Sequence, residues 1–413
     1  VRKQEVAKVK RVLLTVLFVS LALVGLGVQK LVVNSYMSDP EPKRVFEELV
    51  QQFESMYPDF EVTVNTFAHE DFKVLLRTWL TSSNPPDVVT WFAGERMRYF
   101  ASKDLLEPIG DIFENGFEAD FPKAFVSASS YGDEIYFLPQ SWYWWGVYYR
   151  KSIFEELGIT VPVTWKQFLD VCETFKTNNM IPITIGTKYL WTAAGVFDYL
   201  NMRVNGIDYA LKLTNGEIPY TDDGMKEVFA YWKQLVENGY FIEDATSYTW
   251  QEAATYLFTG EAGMYLMGQF IKDVAPPDVK DDLDFFRFPV IDGNVGLFED
   301  TPIDGFMMPA NAKNKEAGKT FLKFIASKEA QEYFATELGR LAANKHVPAP
   351  DDHAKKGLEM ILSSDGVMQF YDRDTDPEMA NAGMNGFVEF MTFPSRLDTI
   401  LKNLEAERNR IYK

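Results

Sequence analysis

The groups best able to do chemistry in this chain are flat rings, carboxylates and guanidinium groups. The rings crowd into PQSWYWWGVYYR, residues 139–150, where Trp142, Tyr143, Trp144, Trp145, Tyr148 and Tyr149 stand beside one proline and one glycine. Such rings either fill a core or offer apolar platforms with a polar rim. If the segment is extended, alternate rings face opposite ways, so only some can meet a ligand. The usual catalytic groups are sparse by contrast. Histidine occurs only at 69, 346 and 353, without zinc-ligand spacing, and HEDFK at 69–73 lacks the second histidine of a zinc-protease helix. There is no G-x-S-x-G nucleophile elbow, no Walker loop and no dinucleotide fingerprint. The residue types therefore imply no cofactor and no metal.

These rings must be positioned by elements, and the elements are legible. Arg2, Lys3, Lys8, Lys10 and Arg11 precede an uncharged run from Val12 to Val28, the layout of a signal peptide over residues 1–27 with cleavage after Gly27. A retained membrane anchor is the alternative. The only cysteine is Cys172, so no lipobox cysteine follows the leader, and the expected location is the periplasm. A formal net charge of −19 without a basic stripe argues against nucleic acid as a partner.

KLVVNSY (30–36) reads as a strand. The helix that follows has Ser38 and Glu41 at capping-box spacing, Pro40 early, and Val45, Leu49, Phe53 and Met56 on one face. FEVTVNTF, HEDFKVLLRTWLTSS and DVVTWF then read as strand, helix and strand, an α/β unit predicting a parallel sheet. Ligands bind beyond the carboxyl ends of such strands, here Tyr36, Phe67 to Glu70, and Trp91 to Arg96. That placement makes Tyr36, Glu70, Trp91, Glu95 and Arg96 candidates; the last two could instead pair with each other. A second α/β region follows, with YYRKSIFEELG, VTWKQFLDVCETFKTNN and MKEVFAYWKQLVENGY as helices, IPITIG as a strand, and YLFTGEAGMYLMG as helix, turn and strand. Gly/Pro-marked junctions near YFLPQ, RFPVIDG and ELGRLAANKHVP predict three crossings between two lobes.

DVVTWFAGERMRYF, IYFLPQSWYWWGVYYRKSIFEELGITVPVTWKQF, WTAAGVFDYLNMRVNG, TGEAGMYLMGQF, FPVIDG, PIDGFMMPANAKNKEAGKTFLKFIAS and FYDRDTDPEMA, in this order, resemble the extracellular solute-binding proteins of bacterial ABC sugar importers, the group that includes maltose-binding protein. The resemblance implies a two-lobed α/β periplasmic-binding-protein fold, each lobe a mostly parallel sheet flanked by helices, with three interlobe crossover segments. It implies an N-terminal lobe of 28–138 with 294–342 and a C-terminal lobe of 139–293 with 343–413. It also implies a monomer that closes on a small carbohydrate and hands it to ABC permease subunits.

A pyranose has apolar C–H faces and a rim of hydroxyls, so its site combines aromatic platforms with planar polar side chains. On that reading Tyr143, Trp144 and Trp145 lead the ring run, and Trp91 and Phe270 match family platform positions. Trp191, Asp198, Trp250, Gln269, Asp304, Arg373 and Asp374 complete the expected ligand-binding set. Arg96, Arg203, Arg340 or Arg373 could receive an acidic sugar. Two alternatives stay open: a membrane-tethered sugar-binding module, and an exported glycoside hydrolase. The latter needs two carboxyls roughly 5–5.5 or 6.5–9.5 Å apart, and nothing in the sequence marks such a pair.

Overall fold

Residues 28–413 are described by a computed structural model; the leader expected over 1–27 lies outside the described residues. The branched and aromatic runs form strands β1 (Gln29–Ser35), β2 (Phe60–Thr66) and β3 (Val88–Phe92), a short hairpin of β4 (Ser130–Tyr131) and β5 (Glu134–Ile135), then β6 (Leu138–Trp142), β7 (Trp145–Arg150), β8 (Ile181–Ile183) and β9 (Ala262–Gly268). They continue with β10 (Leu283–Phe286), β11 (Phe298–Asp300), β12 (Ile303–Met307), β13 (Leu341–Ala342) and β14 (Gly366–Met368). Six strands make one sheet, ordered β13-β6-β12-β3-β1-β2; four make another, ordered β10-β7-β9-β8; β11 and β14 pair separately.

Each sheet carries its own core. Leu31, Val33, Phe46, Phe53, Phe306 and Phe321 anchor the larger-sheet lobe, while Tyr148, Phe197, Phe229, Trp232 and Phe387 anchor the smaller-sheet lobe. The fold is thus a two-lobed α/β one. The chain crosses between lobes from β6 to β7, between β10 and β12, and after β13 on the way to the helix Asp352–Leu362. Residues 139–142 pair within the larger sheet, and Phe298 packs on the smaller-sheet core. Among the described residues no helix is long and apolar enough to cross a membrane.

The sheets are mixed rather than mostly parallel. β1 runs parallel to β2 and β3, but β12 lies antiparallel to β3 and β6, and β7 antiparallel to β9 and β10. The early strand-helix-strand alternation sets parallel direction as far as β3. Strands that enter from the other lobe are free of that constraint.

Two local expectations also change. The helix Pro40–Met56 buries Val45, Phe46, Leu49 and Phe53, but its N-cap is Asp39, not Ser38, and no side chain caps it. The Asp39 carboxylate instead accepts from Gln251 Nε2 of the opposite lobe at 3.4 Å. YYRKSIFEELG is not one helix: Tyr148 and Tyr149 pair with neighbours in β9 and β10, and the helix starts only at Lys151.

Candidate functional site

Between the lobes lies a cavity of about 110 Å³. On the roughly 10–15 Å³ that one water needs by the same measure, it admits several waters, or one compact polar ring. One wall is aromatic and comes from the smaller-sheet lobe: Tyr143, Trp145, Trp191, Trp250, Phe270 and Phe370. The other wall is polar and comes mainly from the larger-sheet lobe, including Ser38, Asp39, His69, Glu70, Lys73 and Asp304.

The ring wall forms at the first crossing, where Tyr143 and Trp144 join β6 to β7. Tyr143 and Trp145 face the cavity, while Trp144 between them turns away and packs, fully buried, on Phe285 and His353. Trp145 stacks on Phe370 at 4.7 Å and meets Trp191 edge-on at 6.0 Å. Phe270 sits at the hub, T-shaped to Tyr143 at 5.4 Å and to Trp250 at 5.2 Å. Trp250 opens the helix Trp250–Thr259, held by a capping box between Thr249 and Glu252. Edge-to-face rings of this kind brace one another.

The polar wall is built of pairs. Arg373 donates to the Asp304 carboxylate at 2.6 Å and to the Tyr143 hydroxyl at 2.8 Å, and its guanidinium lies 4.1 Å from the Phe92 ring centroid. A slip in register between Asp304 and Gly305 places Asp304 there; any side chain at 305 would collide with the Leu138 carbonyl. Arg340 pairs with Asp273, and Glu70 with Lys73 at 3.1 Å. Arg96 reaches across the lobes to Asp372 at 2.9 Å.

Burial raises the phenol pKa of Tyr36 and of Tyr143, so both stay protonated donors. Desolvation, with Lys73 and Arg373 nearby, lowers the His69 imidazole well below its ordinary value and keeps it neutral. Burial opposes the Asp372 charge, but Arg96, Lys73 and Arg373 together hold its carboxyl below the usual range.

Of the residues expected from the sequence, Tyr36, Glu70, Tyr143, Trp145, Trp191, Trp250, Phe270, Asp304 and Arg373 line the cavity. The other seven do not. Trp91 is 2% exposed and points into the core beside Phe72 and Phe100; Phe92, the next residue along β3, faces the cavity instead. Trp144 is turned away at the first crossing, as already described. Glu95 pairs with Arg98 at 3.0 Å, and Asp374 accepts from Arg98 at 2.9 Å, a strap between lobes outside the cavity. Arg96 reaches the site only through Asp372. Asp198, buried within the helix Trp191–Asn205, accepts from the Tyr371 backbone N–H at 2.8 Å and so fixes the turn that carries Asp372 and Arg373. Gln269 donates to the Leu338 and Gly339 carbonyls at 3.1 and 3.0 Å and ties the lobes at a crossing.

The candidate set drawn from the sequence lacks Asp39, Lys73, Gln251, Asp273, Phe370 and Asp372, and holds His69 and Phe92 only as members of the strand-end stretches. Phe92 and Asp372 adjoin residues that were chosen, so a decision on strand phase would have found the first. Asp39 was hidden by the capping-box reading of Ser38.

A family model described as bacterial extracellular solute-binding protein matches residues 39–332. An uncharacterized ABC transporter extracellular-binding protein of Pyrococcus horikoshii is 31% identical over 346 residues, 82% of this chain and 77% of the relative. The multiple sugar-binding protein of Streptococcus mutans is 20% identical over 352 residues, 81% of this chain and 80% of that protein. Among solved structures, the bacterial solute receptor AcbH, described as having an exclusive preference for β-D-galactopyranose, superposes with a TM-score of 0.90 at 34% identity. The match covers 94% of this chain and 100% of AcbH. The paired walls and these likenesses converge: the chain belongs to the bacterial extracellular solute-binding proteins, as the sugar-capturing component of an ABC importer.

Proposed function

We propose that the protein captures one neutral pyranose, of the D-galactose type, between the ring wall and the polar wall, and releases it unchanged to its permease. The observation that carries this reading is the charge arrangement of the cavity. Every cation lining it is already paired: Lys73 with Glu70, Arg340 with Asp273, Arg373 with Asp304. No guanidinium is left for an acidic sugar, whereas the carboxylates retain lone pairs for hydroxyls. Asp39 has no cationic partner among the described residues, and burial raises its pKa. It is the natural acceptor for a sugar hydroxyl. The cavity volume suits one ring, and the 34% identity to a galactose-preferring receptor supports the choice of sugar.

No chemistry is required. The sugar's contacts are greatest when the lobes are together, so binding shifts the population toward closure by the difference in affinity between the two forms. We place the protein outside the cytoplasmic membrane and assign it a monomeric state on the same reading. Calorimetric titration of residues 28–413 with galactose, glucose, polyols and uronic acids, followed by recovery of the ligand, tests it. Micromolar or tighter binding of intact neutral sugar is expected. Preference for a uronic acid would overturn the charge argument, and turnover would overturn the absence of catalysis.

A further inference from the structure

We infer that Asp198 and Asp300 hold a proton between them at the second crossing, and that this buried O–H bridge positions Arg373 and Asp304 on the polar wall. The proton does not depend on which sugar binds; the positioning rests on the reading of the cavity as a sugar site. Asp300 ends β11, from which Thr301 and Pro302 lead directly into β12 and Asp304. It is 0% exposed, and neither of its carboxylate oxygens meets a hydrogen-bond donor among the described residues. Ionised, it would be a dry and unpaired charge, and such a group takes up a proton instead.

The surrounding charges are already spent. On the helix Trp191–Asn205, Arg203 donates to the Phe288 and Phe298 carbonyls and to Glu299, and the Tyr199 hydroxyl donates to Glu299 at 3.0 Å. Glu299, which precedes Asp300 in β11, also pairs with Arg287 at 2.9 Å. On the turn that follows Phe370, Arg373 is taken by Asp304 and Tyr143, Asp372 by Arg96, and the Tyr371 hydroxyl by Tyr220. The stretch Gly366–Met368 of β14, paired with β11, brings no ionisable group. What remains is Asp198, whose carboxylate accepts from the Tyr371 N–H at 2.8 Å. Burial, with Asp198 and then Glu299 nearby, pushes Asp300 well above the usual carboxyl range, and burial does the same to Asp198. Two carboxyls in one dry site retain a proton, and an O–H donor to a carboxylate makes a strong bond. Among the described residues no group of three or more metal-ligating side chains could hold a metal ion, so a proton suits the pair better. The bridge ties Asp198, which holds the backbone of Tyr371, to the strand that runs on to Asp304. Arg373 and Asp304 are thereby brought together from the two ends of one bonded unit.

Urea unfolding of residues 28–413 and of Asp300→Asn, between about pH 5 and pH 8, tests the proton. The folded pair keeps a proton that the unfolded chain gives up above about pH 4. Its contribution is full below that pH and is lost as pH rises toward the folded values. The unfolding constant of the unaltered chain should therefore rise about tenfold per pH unit relative to Asp300→Asn, every other buried carboxyl being common to both. Asp198→Asn should give the same ratio, and takes the place of Asp300→Asn if that variant does not fold. A level ratio would overturn the shared proton. So would stabilisation of the unaltered chain alone by millimolar calcium, which would put a cation in its place. For the positioning, the amide of Asp300→Asn still donates a hydrogen bond, whereas Asp300→Ala has no donor. Affinity for the best sugar of the calorimetric panel should stay within about twofold in the first and fall at least about fivefold in the second. Equal affinities would overturn the positioning. Failure of every sugar to bind would remove the cavity reading and the positioning with it, while the unfolding ratio still decides the proton.

Discussion

The two walls of the cavity are made differently. The ring wall belongs to one lobe and is braced within it: Trp145 on Phe370, Phe270 on Trp250, Tyr143 on Phe270. The polar wall hangs on the opposite lobe, because Arg373 meets Asp304, Arg340 meets Asp273 and Arg96 meets Asp372 across the gap. Half of the site is therefore complete in an open molecule, whereas the other half is assembled by closure. A sugar would land on rings first and collect its directional hydrogen bonds as the lobes come together.

The harshest test removes part of the preformed half. Trp145→Ala deletes a buried ring that fills the space against Phe370 and Gly195, and should cost about 3–5 kcal/mol of folding stability together with sugar binding. Chemical unfolding and calorimetry read the two losses separately. Asp304→Asn attacks the half made by closure: sugar affinity should fall by roughly 1.5–3 kcal/mol while Tm of the sugar-free protein hardly moves, since an open form lets Arg373 meet water. A large loss of Tm without loss of affinity would show that the polar wall is preformed too.

A milder effect is expected for Trp250→Ala, which removes a partly exposed platform at a helix start; affinity should drop by about 0.5–1.5 kcal/mol with an unchanged melting profile. The last effect, negligible at neutral pH and growing only as acid is added, is on stability, and it contrasts a histidine in each lobe. His353, wedged among Trp144, Tyr148 and Phe285, has its pKa lowered by burial to about 3, and that of His69 is also lowered. Each is neutral when folded but takes a proton when unfolded below about 6.5. Their contribution is therefore full above that pH and is lost as pH falls toward the folded values. His353→Phe should flatten the acid slope of a stability-versus-pH curve, and an unaltered slope would dismiss the account.

How far the site could be read in advance follows from the physics of each element. The order of strands and helices through β3, the three crossings and the ring run were visible, because period and turn chemistry are local signals. The choice of Tyr143 and Trp145 over Trp144 depends on the join between β6 and β7, and that of Phe92 over Trp91 on strand phase. Phase is set by which neighbour each strand pairs with, and that is not a local property. The same holds for polarity: Glu95 and Asp374 look like ligand groups until Arg98 is seen between them, and Gln269 looks free until it meets the Leu338 and Gly339 carbonyls. Asp198 was expected to touch the ligand and instead holds the backbone of Tyr371.

Tyr143 and Trp145 stand where the chain passes from one sheet to the other, so the two platforms are also part of the joint. Replacing either to suit a new sugar would alter how the lobes swing. Trp250, mounted on a helix start away from every crossing, is no part of the joint. A lineage adapting to a different nutrient has an easy path through Trp250 and a costly one through the first pair, and a designer retuning this receptor inherits the same gradient.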